Sequence, residues 1–158
     1  MPSSLAAPKA AEARTKPARR GSRRAGSPLP RSKVASAAEP RLVLIADDDE
    51  TIRVVLQRAL TRAGCIALPV DDGGEIWPIL DREDVAALVL DLKMPGVNGW
   101  EVLRRLRDDF RYRARHVRVI VLSGQADPES RDFALQLGAA EFLSKPVDLD
   151  VLCRAVLG

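Results

Sequence analysis

The stretch LVLDLKMPGVNGW, residues 88–100, runs three apolar residues into a carboxylate, Asp91, and then into a loop punctuated by Pro95, Gly96, Asn98 and Gly99. A buried strand that ends on a charge needs a reason, because an unpaired charge out of water is costly. The reason lies in the segments on either side. VAALVL (85–90) is apolar throughout, as a strand buried on both faces of a parallel sheet should be, and Gly99 opens a helix whose Leu103 and Leu106 point inward.

Similar units repeat around it. LVLIA (42–46) reads as a first strand. Ile52, Val55, Leu56, Ala59, Leu60 and Ala63 then fall on one helical face, with Gly64 as the stop. IALPV (66–70) is a second strand, placed at a sheet edge by Pro69. A weaker helix follows around Ile76, Ile79 and Leu80, where Pro78 is tolerable only near the first turn. HVRVIVL (116–122) is the fourth strand, with the single histidine, His116, at its start in a structural role. Asp127 and Pro128 mark an N-cap and first helical residue, and Gly138 a stop. EFLS (141–144) is a short fifth strand, and Asp148 caps a last helix striped by Leu149, Leu152, Cys153 and Val156. Five strands alternating with five helices predict an α/β fold, a doubly wound parallel sheet covered on both faces.

In such a sheet all strands leave at one edge, and ligands bind there, at the switch point of the strand order. The residues that follow the apolar runs are Asp47 and Asp48, Asp91, Ser123 and Lys145. With the order 2-1-3-4-5, three carboxylates crowd together. Two like charges about 4 Å apart repel by roughly 4 kcal/mol at an effective dielectric near 20, so the cluster calls for a cation. An all-oxygen site that leaves room for waters and phosphate oxygens suits Mg²⁺. A carboxylate is a competent covalent acceptor, and phosphoryl transfer depends chiefly on positioning and charge neutralisation, which a cation and a lysine supply.

DDDETIR after the first strand, DLKMPGVNG at the third, SG after the fourth and KP after the fifth resemble the receiver domain of two-component response regulators, over about residues 41–158. The resemblance implies a flavodoxin-like sheet of order 2-1-3-4-5. It makes Asp91 the acceptor of a phosphoryl group from a histidine kinase or histidine phosphotransfer protein. Asp47 and Asp48, with Asp91 and the backbone carbonyl of Lys93, become the Mg²⁺ site. Ser123 and Lys145 become the partners of the phosphoryl oxygens, Phe142 an aromatic that changes rotamer with Ser123, and Lys145–Pro146 a cis peptide. The family often has an acid where Asn98 stands and threonine where Ser123 stands. Output is then expected through the last two long helices and the fifth strand, toward a downstream protein target that the sequence does not name. Lys93 and Gln125, two residues past Asp91 and Ser123, flank the path of an attacking water and are expected to set the lifetime of the phosphorylated state.

Other chemistries fit less well. A nucleotide-binding module needs a Gly-rich phosphate cradle after the first strand, where DDDE stands. A haloacid-dehalogenase-like phosphatase needs a second acid two residues past Asp91, where Lys93 stands. A receiver-like interaction module independent of phosphorylation would not need the acidic, Ser and Lys positions that are all present.

The net charge of +3 conceals two unlike parts. Residues 1–40 hold nine Lys or Arg and two Glu, +7, leaving −4 for residues 41–158. Few residues in the first part can repay ordering, so a disordered basic tail (1–40) is expected before the domain (41–158). Such a tail makes at most a weak electrostatic contact with nucleic acid or an anionic surface. With no signal-peptide core and no long apolar run, the sequence points to a cytoplasmic protein without a transmembrane segment. Cys65 and Cys153 sit in apolar patterns without metal-ligand spacing and read as reduced core residues. The chain stops at Gly158, just past the last helix, which leads to the expectation of a single-domain regulator acting through protein contacts.

Overall fold

The computed structural model describes residues 39–125 and 127–158. The expected tail therefore lies, up to residue 38, outside the described residues. Five strands, β1 (Leu42–Ala46), β2 (Ile66–Val70), β3 (Val85–Asp91), β4 (Arg118–Ser123) and β5 (Glu141–Ser144), form one sheet. All pairings are parallel and the order is β2-β1-β3-β4-β5. β3 is central and buried along nearly its whole length, which explains its unbroken apolar run. β2 is an edge strand, where Pro69 interrupts no second ladder.

The helices are α1 (Glu50–Arg62), α2 (Ile76–Arg82), α3 (Gly99–Asp108), α4 (Phe110–Arg113), α5 (Pro128–Gln136) and α6 (Leu149–Leu157), with a short 3₁₀ turn at Gly73–Glu75. Side chains alternate across each strand and so build two cores. Leu44, Leu88, Leu90 and Val121 meet α2, α3 and α5 through Leu80, Leu103 and Ala134. Val43, Ile45, Val89 and Ile120 meet α1 and α6 through Leu56, Leu60, Leu152 and Val156 on the other face. Two caps follow the sequence expectations, Asp127 accepting from Ser130 and Asp148 from Asp150 and Val151, and Asp49 caps α1 by accepting from Thr51 and Ile52.

Three details differ from the periodicity. Val55 is 43% exposed, so the buried stripe of α1 is narrower than its apolar spacing suggests and centres on Leu56 and Leu60. The fourth strand begins at Arg118 rather than at residue 116. His116 has φ +54°, a left-handed turn that cannot continue an extended strand. The sixth helix, α4, was not anticipated: Asp109 caps it by accepting from Arg111 N at 3.0 Å and ion-pairs with the Arg111 guanidinium at 2.7 Å. Cys65 is buried and Cys153 half-buried, both unpaired thiols. No helix among the described residues is long and apolar enough to cross a membrane.

Candidate functional site

Strand register assembles the site. Ala46 lies opposite Leu90, so the residues that follow, Asp47 and Asp91, are level at the carboxyl edge. Asp91 lies opposite Leu122 and Ser123 opposite Ser144, which puts Ser123 one step and Lys145 two steps further out. Carboxylate oxygens of Asp47, Asp48 and Asp91 all lie within 4.8 Å of one another. Asp47 is 1% and Asp91 5% exposed, whereas Asp48 is exposed to solvent.

Lys145 ties the two buried acids together. Its Nζ lies 2.7 Å from Asp47 Oδ2 and 3.1 Å from Asp91 Oδ2. Backbone donors hold the remaining oxygens: Asp49 N donates to Asp47 Oδ1 at 2.9 Å and Lys93 N to Asp91 Oδ1 at 3.2 Å. Burial pushes the Asp47 carboxyl above its ordinary range; the Lys145 and Asp49 hydrogen bonds oppose that and the Asp91 charge adds to it. For Lys145 burial is again the largest influence, a lowering one, yet the hydrogen bonds it donates to Asp47 and Asp91, with their charges, outweigh it and hold the ammonium above its usual value. The triad is therefore a pair of buried carboxylates bridged by one ammonium, with a third carboxylate at the mouth. Three hard oxygen donors in one cluster, with one of them open to solvent, fit a hard divalent cation of the Mg²⁺ type.

The other expected residues stand nearby without joining the cluster. Ser123 is 3% exposed, and its hydroxyl donates to Gln125 O at 2.9 Å and accepts from Gln125 N at 3.1 Å. Its hydrogen bonds thus close its own loop. The side chains of Lys93 and Gln125 are exposed. Phe142 is buried in the α2, α3 and α5 core, opposite Val121. Lys145–Pro146 is a cis peptide.

Two contributors escaped the sequence reading. Arg53, on the first turns of α1, reaches back to donate to Asp47 O at 2.7 Å and anchors the backbone that carries the acidic pair. Gly99 starts α3 directly against the end of β3: a Cβ there would lie 2.3 Å from Asp91 O and 2.7 Å from Leu92 Cα. The glycine was legible as a helix start, but its contact with Asp91 is set by the return of the loop. Asn98 caps α3 by accepting from Glu101 N at 3.1 Å, a structural use of that position.

A family model described as the response regulator receiver domain matches residues 43–157. The sensory/regulatory protein RpfC of Xanthomonas campestris pv. campestris is 41% identical over 105 residues, which cover 66% of this chain and 14% of that relative. The chain thus spans only a small part of the length of such a relative. Among solved structures, the receiver domain of Francisella response regulator 1452 is similar at TM-score 0.67 and 27% identity, over 74% of this chain and 93% of that one. A response regulator protein from Burkholderia pseudomallei, solved with a phosphorylated aspartic acid, a calcium ion and citrate, shares the fold at TM-score 0.65 and 24% identity, over 73% of this chain and 66% of that one.

Proposed function

From the membership of this chain in the response regulator receiver family, which its match over residues 43–157 establishes, we propose that it is a phosphorylation-dependent signalling switch with Asp91 as phosphoacceptor. The observation that carries this reading is the placement of Asp91: a strand-end carboxylate, 5% exposed, 3.1 Å from the Lys145 ammonium and clustered with Asp47 and Asp48. The phosphorylated aspartic acid and calcium ion of the Burkholderia pseudomallei protein support it by analogy of fold.

The phosphoryl donor is a phosphohistidine on a histidine kinase or phosphotransfer protein. A carboxylate oxygen of Asp91 bonds to phosphorus as the donor's P–N bond breaks, and the electron pair of that bond stays on the imidazole nitrogen. The product is an acyl phosphate. Asp47, Asp48 and Asp91, with the Lys93 carbonyl, would hold Mg²⁺, which when bound offsets charge on the phosphoryl oxygens. Lys145, already 2.7–3.1 Å from two carboxylates, exchanges an Asp91 oxygen for a phosphoryl oxygen with little movement. Ser123 has further to go: its hydroxyl leaves Gln125 O and turns to the phosphoryl group, which reorganises the loop after β4. That loop leads into α5, and the switch is read by a downstream protein through α5, β5 and α6.

Incubating the full chain with acetyl phosphate, with Mg²⁺ or with a chelator, tests the reading. Covalent phosphorylation that requires Mg²⁺ is expected. Absence of label with Mg²⁺ present, in a folded protein, would overturn it.

A further inference from the structure

The opposite end of the sheet from the carboxylates carries a second feature. Between α3, α4 and the turn after α5 lies a groove of about 410 Å³. Leu106, Tyr112, Val117 and Leu137 give it an apolar lining. Three cationic or ionisable side chains, Arg107, Arg113 and His116, stand at its rim, and no acid lines it. The segment 104–118 holds seven arginines and two aspartates, in a domain whose total from residue 41 onward is −4. This end is thus strongly positive against an acidic background.

Most of those arginines already have a use. Arg105 lies over the Trp77 ring at 4.1 Å, Arg104 over Phe133 at 5.8 Å, and Arg111 is paired with Asp109. Arg115 donates to the carbonyls of Glu83 and Asp81, and Arg118 to Ala155 O and Glu141. Arg113 has no carboxylate partner among the described residues, and Arg107 has only the exposed neighbour Asp108. The cations left for a ligand are therefore few and set around a recessed lining, rather than spread along a track as binding of a nucleic-acid backbone requires. The same short helix holds Phe110 at 73% exposure, a large apolar surface that the domain itself leaves uncovered.

We propose that this groove is a docking site for an acidic peptide segment of a partner protein, with a leucine-sized side chain on the apolar lining and flanking carboxylates at Arg107, Arg113 and His116. Charge complementarity selects the peptide's sign, and the recessed lining selects an apolar anchor over a purely charged chain. The site is separate from the phosphoryl chemistry, so occupancy does not require Asp91 to be modified.

The test is residue-resolved amide NMR on the full chain, titrated with a synthetic peptide of glutamates with leucines at helical spacing. Amide shifts are expected to cluster at Tyr112, Val117, Leu137 and Gly138. Replacing the peptide's glutamates by glutamine, or its leucines by serine, should abolish them. Arg113→Glu should weaken the groove's affinity by about three- to tenfold while acetyl phosphate labelling is unchanged. Shifts confined to residues 1–38 or to the α1 face would overturn the proposal. So would equal shifts with the glutamine peptide, or stronger shifts at the groove from oligodeoxythymidylate or phosphatidylserine vesicles.

Discussion

At the scale of single residues, Lys145 bridges the two buried acids Asp47 and Asp91. Replacing it with methionine leaves Asp47 and Asp91 facing each other without a counter-charge, at a cost of about 1–3 kcal/mol. Chemical denaturation of Lys145→Met without divalent cation should show that loss, and added Mg²⁺ should restore part of it; a variant as stable as wild type would contradict the bridging role. Asp48→Ala is the contrasting case. Its carboxylate is exposed and makes no ion pair among the described residues, so the metal-free variant should be at least as stable as wild type, yet much slower in Mg²⁺-dependent labelling. The convergence of Asp47, Asp48, Asp91, Ser123 and Lys145 was legible because strand ends in a parallel sheet share an edge. What each hydroxyl or ammonium bonds to was not: that Ser123 closes on Gln125, and that Arg53 secures the Asp47 carbonyl, are choices of rotamer made by neighbours distant from any pattern. The proposed roles of Lys93 and Gln125 fit their exposed positions beside Asp91 and Ser123. Loss of label from Lys93→Ala and Gln125→Ala should differ from wild type in rate, and identical decay in both would remove them from the mechanism.

At the scale of elements, the join between β3 and α3 is the tightest. Gly99→Ala forces a Cβ into Asp91 O and the Leu92 backbone, so the strand end must shift. The expected result is a stability loss of about 1–3 kcal/mol together with slowed phosphorylation, measured by melting and by acetyl phosphate labelling. The two thiols bear on β2 and α6 instead. Burial pushes both Cys65 and Cys153 above the usual thiol range. A folded value above the unfolded one stabilises below the ordinary thiol range and is lost as pH rises through the folded value. Native alkylation by iodoacetamide at mildly alkaline pH should therefore be much slower than in denaturant. Phe142 needs a gentler probe than alanine: it is 3% exposed, and Phe→Ala in a core costs about 3–5 kcal/mol, enough to hide any signalling effect. Phe142→Leu is the better test of output through α5, β5 and α6. Strands and long helices were readable from period and caps. The short helix α4 was not, because its sequence FRYR has no apolar period and forms on one cap and one ion pair.

At the scale of the whole molecule, the residues proposed to handle the phosphoryl group lie between Asp47 and Lys145, and the described fold closes through Arg41 donating to Leu157 O. Removing residues 1–38 should leave Mg²⁺-dependent labelling intact; its loss in a folded truncation would tie the basic segment to the site. Any affinity of that segment for nucleic acid or anionic lipid should fall steeply with salt. The charge asymmetry between the two parts and the acidic sheet edge were plain in the sequence, whereas the basic surround of α4 at the other end of the sheet emerged only from the loop path. One carboxylate is proposed to accept the phosphoryl group, and mass spectrometry that locates the label tests this directly. Wild type treated with acetyl phosphate and Mg²⁺ should carry a single acyl phosphate at Asp91, and Asp91→Asn, folded and still able to bind Mg²⁺ weakly, should carry none. An acyl phosphate located at another residue of the Asp91→Asn protein would contradict the assignment.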